Sequence, residues 1–180
     1  MMKTKDQGHI GPKIQSVESF IISIPRAVPY LGALGPGERV TERGYLIRQG
    51  NGTIYPTTDR SVLIKITADD GTVGWGETYG IVAPTAVTSI IDDVLGPVIV
   101  GRDPRDPMVI QEDLYDLMRV RGCFGGFYVD AIAGVDIAVW DLYGKLLGQP
   151  LVKLLGGQRR NTIPAYVSGL PGATLDQRLA

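Results

Sequence analysis

The chain has 180 residues, 44% of them apolar and 21% charged, and its 18 basic and 19 acidic side chains leave a formal charge of −1. This is the balance of an ordinary soluble globular protein with enough apolar residues to build a core. The basic stripe that a nucleic-acid partner requires is missing. Cys123 is the only cysteine, so the chain has no internal disulfide framework and fits a reducing compartment. The first residues, MMKTKDQGHIGPKIQ, lack the apolar centre of a signal peptide, and no apolar run approaches the ~18 residues of a membrane span. A cytoplasmic protein with no membrane partner is expected.

In chain order, residues 1–12 are polar, carry Gly8, Gly11 and Pro12, and read as a flexible tail. Residues 14–24 (IQSVESFIISI) alternate imperfectly, as a strand that Pro25 ends. Residues 26–59 are rich in Gly and Pro and carry Tyr30, Tyr45 and Tyr55. A connection this long is a mobile lid or binding loop, with at most a short helical or hairpin excursion. Residues 61–68 (SVLIKITA) predict a strand with Val62, Ile64 and Ile66 on one face. Asp70-Gly71 is a tight-hairpin signal, and residues 72–77 return as the partner strand. Residues 84–95 predict a helix with Pro84 in its first turn and Gly96-Pro97 as its stop. A second helix is expected over 107–120, with Ile110, Leu114, Leu117 and Met118 on one face, and a glycine-rich turn over 122–126.

The run from 130 to 157, DAIAGVDIAVWDLYGKLLGQPLVKLLGG, is the segment on which the rest must pack. Ile132, Val135, Val139, Leu142 and Leu146 fall on one helical stripe, which Ala131, Ala138 and Trp140 widen. A helix so apolar should lie between two layers. Asp141 and Lys145 are spaced to pair at i and i+4, and Gly148 followed by Pro150 should stop the helix. Past it, residues 162–168 (TIPAYVS) predict a short strand, and Thr174 the cap of another helix. That is one strand–loop–helix step, too little for a closed or doubly wound sheet. The fold class is α+β: an antiparallel strand set followed by a helical bundle.

Several residues invite a chemical reading. Glu77, beside the 78–84 loop, could serve as an acid or base, but a carboxylate holding loop backbone or a neighbouring cation is the favoured reading. Asp136 in the apolar helix calls for a hydrogen-bonding partner if it is buried. Asp92 and Asp93 point in different directions and read as solvated, and Asp69-Asp70 belongs to the hairpin turn. The acids, His9 and Cys123 show no metal-binding spacing. The Gly74, Gly76, Gly80 series departs from the dinucleotide fingerprint, and the 122–126 glycines lack the Lys-Ser/Thr of a phosphate loop.

Three segments in this order, DDGTVGWGE (69–77), GRDP (101–104) and GVDIAVWDLYGKLLGQPLVKLLGG (134–157), resemble the mandelate racemase/muconate lactonizing enzyme branch of the enolase superfamily. The resemblance implies an enolase N-terminal-domain-like α+β capping domain over 13–160. Residues 161–180 would be the first strand and start of a truncated TIM-like barrel. It further implies proton abstraction next to a carboxylate, with the metal stabilising the charge that develops on oxygen. The Mg²⁺ ligands and catalytic base of such enzymes lie on later barrel strands, so the resemblance assigns no catalytic and no metal residue here and makes this piece inactive alone. The remaining barrel domain would be a partner. The substrate would be a sugar acid and the reaction a dehydration, with racemisation and cycloisomerisation as alternatives. A stand-alone non-catalytic binding or assembly module is the rival from another class.

Substrate contacts are expected from Arg26 and Tyr30 in the first capping loop, since a guanidinium fork suits a carboxylate. Tyr79 in the second loop and Ser168 at the C-terminal end of the first barrel strand complete the set. The unpaired apolar residues of 162–168 also predict that the isolated chain self-associates into a homo-oligomer or leaves this tail disordered.

Overall fold

The computed structural model describes residues 11–166 and 174–176. Its first strand, β1 (Ile14–Pro25), is followed by a small antiparallel hairpin, β2 (Tyr45–Ile47) and β3 (Ile54–Pro56). Strands β4 (Thr58–Ala68) and β5 (Val73–Tyr79) then join β1 in a three-stranded antiparallel sheet of order β1-β4-β5. Strict alternation fixes the register. Val62, Ile64, Ile66 and Ala68 are fully buried on the face that meets the helices, each such Val or Ile contributing about 1.5–3 kcal/mol. The other face carries the Lys65–Glu18 cross-strand ion pair at 2.9 Å and the Phe20–Trp75 ring contact at 6.3 Å. Asp70 and Gly71 form the expected tight turn, with the Thr72 amide donating to Asp70 Oδ1 at 2.8 Å.

The helical layer begins with α1 (Pro84–Ile90) and runs without a break through a π-helical turn (Ile91–Leu95) into α2 (Gly96–Ile99). Gly96-Pro97 therefore does not stop it, contrary to the sequence expectation. Pro97 sits in the first turn of α2, where its missing N–H costs little, and the wider turn before it takes up the mismatch. The run ends at Gly101, whose φ of 85° suits only glycine well. Asp92 is likewise more than a solvated acid, because its carboxylate accepts the Ser19 hydroxyl at 2.8 Å and ties the π-turn to β1. The GRDP link is a structural corner. Asp103 is buried and takes the Arg105 guanidinium at 2.6 Å, while Arg102 pairs with Asp113 at 2.7 Å.

After α3 (Pro107–Arg119), the organising helix α4 spans Phe127–Leu147, starting three residues before the expected 130. Ile132, Val135, Val139 and Leu142 are buried and Leu146 packs at the margin of the core. One side lies on β4 and β5, another on α1 and α3. The two-layer burial expected is incomplete, since Ile137 is 48% exposed on the outer side. Contact with the sheet is close enough to need glycine on both partners. A Cβ on Gly74 would fall 2.2 Å from the Ala138 carbonyl oxygen, and one on Gly134 would fall 2.5 Å from Ile64 Cδ1. Asp141 and Lys145 pair at 2.6 Å as expected, and they also satisfy edge strand β5. Asp141 accepts the Trp75 amide at 2.8 Å and Lys145 donates to the Val73 carbonyl at 2.9 Å. The edge is thereby capped against pairing with another chain. Gly148 closes α4 in the left-handed conformation, and the short α5 (Leu151–Leu154) ends at Gly156-Gly157.

Beyond α5, the described part of the expected strand, 162–166, pairs with no other strand among the described residues, and Ile163 and Tyr166 are 84% and 88% exposed. A barrel strand takes its hydrogen bonds from neighbours on either side, and none lies beside this one. Ser168 and the 1–10 part of the expected tail fall outside the described residues. No helix among the described residues is long and apolar enough to cross a membrane.

Candidate functional site

The loops that follow β1 and β5 leave the same end of the sheet. The register pairs Pro25 with Thr58 and Ser61 with Tyr79, which brings Arg26, Asp59 and Tyr79 to one rim. Arg26 donates from Nη1 to Asp59 Oδ1 at 2.6 Å and from Nε to the Val28 carbonyl at 3.1 Å. Its guanidinium lies 5.4 Å from the centre of the Tyr30 ring, which stacks on Tyr55 at 5.5 Å and 20°. Both Tyr30 (41%) and Tyr79 (46%) are exposed. The structure thus brings Arg26 and Tyr30 together and joins to them Tyr55 and Asp59, two residues that sequence reasoning left out of the site. Tyr79 stands on the same rim without a recorded contact to them, and Ser168 lies outside the described residues.

Under this cluster is a buried ion pair that the sequence reading missed. Arg48, 8% exposed, donates from Nε to the Tyr30 carbonyl (3.2 Å) and from Nη2 to the carbonyls of Tyr30 (2.5 Å) and Gly32 (2.6 Å). Nη1 reaches the Ala33 carbonyl (3.0 Å) and Glu38 Oε2 (2.7 Å). Glu38 also accepts the amides of Gly35 at 2.8 Å and Gln49 at 3.0 Å. Those two amides first, and then Arg48, hold its carboxyl below the usual carboxylate range. Leu31 and Gly32 have φ of 69° and 108°, a left-handed bend that turns three carbonyls inward. The expected mobile connection is instead hydrogen-bonded around one side chain. Alternation carried a usable signal: Leu46 is fully buried and Arg48, two residues on, shares its side of the strand.

The two loops are also tied to each other. Tyr45 Oη accepts the Ala83 amide at 3.0 Å, and Arg60 lies 4.7 Å over the Tyr45 ring. Glu77, whose Oε1 accepts the Ser61 hydroxyl at 2.5 Å, serves the strand pairing. Asp136 is half-buried, with burial pushing its carboxyl up and the Trp140 side chain partly offsetting this by a hydrogen bond. A cavity of about 380 Å³ lies at the opposite end of the sheet, against the last turns of α4, where Asp141 and Lys145 neutralise each other. The described residues bring together no three His, Cys, Asp or Glu side chains that could hold a metal ion.

An antiparallel sheet backed by helices, with two loops rising from one rim, defines an enolase N-terminal-type domain. The chain belongs to the mandelate racemase/muconate lactonizing enzyme family, whose N-terminal domain profile matches residues 51–156. It is 42% identical over 108 residues to D-galactarolactone cycloisomerase of Agrobacterium fabrum, covering 60% of this chain and 28% of that protein. It is 36% identical over 128 residues to D-galactonate dehydratase of Xanthomonas euvesicatoria, covering 69% of this chain and 33% of that one. The crystal structure of an inferred isomerase from Sinorhizobium meliloti matches at 58% identity and a TM-score of 0.89, over 94% of this chain and 44% of that one. A mandelate racemase/muconate lactonizing protein of Paracoccus denitrificans, crystallised with magnesium, matches at 31% identity and a TM-score of 0.59, over 83% and 32%. The chain thus spans about a third of the curated relatives' length and less than half of the structural ones.

Proposed function

We propose that this chain is the substrate-capping part of a Mg²⁺-dependent enzyme that removes the proton next to the carboxylate of a sugar acid. Residues 13–160 form the capping domain and 161–180 open the barrel that carries the base and metal ligands. The observation that carries the reading is the Arg26–Asp59 pair set against the stacked Tyr30 and Tyr55 rings, on the rim shared with Tyr79. An ion pair offers donors and acceptors together, which suits vicinal hydroxyls, while aromatic faces take the apolar side of a sugar chain. Arg26 uses one donated hydrogen bond within the loop and one to Asp59 on β4, leaving further N–H groups for substrate oxygens. Capping excludes water from the carbon that loses its proton. The partly apolar open sheet face, with Phe20, Ile22 and Trp75 exposed, supports a homo-oligomer, and the single cysteine, Cys123, supports a cytoplasmic enzyme.

Two closing steps share that proton abstraction. Ring rearrangement is favoured by the 42% identity to a cycloisomerase, and loss of water by the 36% identity to dehydratases. The test incubates the intact enzyme with Mg²⁺ and either D-galactonate or D-galactarolactone in D₂O. Turnover in D₂O should place one deuterium on the carbon beside the new keto group, where the enol is protonated, because the α-carbon itself becomes the carbonyl, and product analysis separates the two closing steps. The 180-residue chain alone should incorporate none. Turnover by this chain alone, or no incorporation by the intact enzyme across a panel of sugar acids, refutes the proposal and favours a non-catalytic module.

A further inference from the structure

We propose that Arg48 is the positioning residue of the capping site: its side chain shapes the 29–38 loop so that Tyr30 and Arg26 meet the substrate in one fixed arrangement. The inference rests on the proposed function for what the loop meets, and on geometry for everything else. A guanidinium has five N–H groups in a planar fork, and Arg48 spends all five, four on backbone carbonyls of residues 30, 32 and 33 and one on Glu38. Glu38 passes the constraint on to the amides of Gly35 and Gln49. The Tyr30 carbonyl receives two of the five bonds, so the residue gripped hardest is the one whose ring stacks on Tyr55 and lies under Arg26. Arg48 itself is buried beneath the loop. It acts on a ligand only through Tyr30 and its neighbours.

A lysine cannot replace it. One ammonium is a point donor that keeps a charge beside Glu38 but does not span three carbonyls. This separates the fork from the charge, and two variants exploit it. In Arg48→Met the Gly35 and Gln49 amides should exchange with solvent faster by roughly tenfold or more, with the amides of β4 and β5 unchanged. In Arg48→Lys those two amides should stay near wild type, because Glu38 keeps its counter-charge. In the intact enzyme both variants should raise KM for the sugar acid by roughly tenfold and leave kcat within about threefold, the pattern of lost ground-state positioning.

Three results overturn the proposal: unchanged loop amides in Arg48→Met, a wild-type KM in Arg48→Lys, or a collapse of kcat with KM unaltered. Should Arg48→Met lose the β4 and β5 protection and fail to fold, Arg48→Lys alone carries the kinetic test. Loosened amides with an unchanged KM refute the positioning role while leaving the enzyme reading intact. Absence of any sugar-acid turnover by the wild-type enzyme refutes the enzyme reading itself, and the positioning role falls with it.

Discussion

Replacing Gly76 by alanine tests the contact on which the fold depends. Gly76 lies on β5 beneath α4, and a Cβ there would sit 2.1 Å from the Gly134 carbonyl oxygen, 2.8 Å from the Ala138 nitrogen and 3.1 Å from the Ala138 Cβ. Carbon contacts settle at ~3.5–4.0 Å, so α4 has to back away by about 1 Å. The nearest two atoms are backbone, and no rotamer change relieves them. Ala138, Val139 and Leu142, all fully buried, move with the helix and lose contact with the sheet. Overpacking costs about 1–3 kcal/mol where side chains can adjust, and a rigid backbone on both sides places Gly76→Ala at ~3 kcal/mol. For a domain of this size that lowers Tm by about 6–12 °C. Urea unfolding of the 180-residue chain, followed by far-UV circular dichroism and tryptophan fluorescence, measures the loss. Gly125→Ala is the control, since nothing lies within 4 Å of its added Cβ, and it should stay within about 0.5 kcal/mol of wild type. A Gly76→Ala chain less than about 1 kcal/mol below wild type would refute the close-packing argument.

Two acidic residues should give pH profiles of opposite sign. Burial raises the Asp136 carboxyl from its ordinary 3.8, so its contribution is complete below that value and is lost as pH rises through the folded-state value. Asp136→Asn should therefore be more stable than wild type at neutral pH, with the gap closing in acid. Melts that show a constant gap would refute this. Glu38 is held below its ordinary 4.5, so its contribution is complete above that value and is lost as pH falls through the lower folded-state value. Glu38→Gln should be less stable than wild type at neutral pH and approach it in acid, and a deficit that grows on acidification would count against the buried pair.

The sheet and the α4 core were legible because period alone identifies them. Val62, Ile64 and Ile66 alternate, and Ile132, Val135, Val139 and Leu142 recur at helical spacing, so one face of each had to be buried. The glycines of GWG were legible only in part. Their spacing excluded a dinucleotide loop, but that Gly74 and Gly76 admit a helix backbone depends on a partner some sixty residues away. The misreading at Gly96-Pro97 has a local cause, since sequence marks a helix breaker without showing whether a π-turn will absorb it. Arg26 and Tyr30 could be picked out by residue type, whereas their contacts with Asp59 and Tyr55 arise from the β1–β4 register and the small hairpin. Arg48 was marked in the sequence only by its place two residues past Leu46, because three of its acceptors are backbone carbonyls, which every residue possesses.

That Arg48 is an ion pair rather than a packed apolar group follows from the size of the segment it serves. Residues 26–57 bury one large apolar side chain completely, Leu46, while Val28, Leu31, Leu34, Ile47 and Ile54 stay exposed. So short a connection cannot wrap a core of its own, and its bent backbone leaves inward carbonyls that need donors. A single guanidinium, neutralised by Glu38, supplies those donors at one point. A buried ion pair is weak as a source of net stability, but removing one partner strands the other, and it tolerates few alternative geometries. The arrangement separates two duties. The glycine-packed sheet and α4 carry the stability of the domain. The loop keeps one shape through Arg48, so the exposed Val28 and Leu34 on its surface can vary without disturbing the core beneath it.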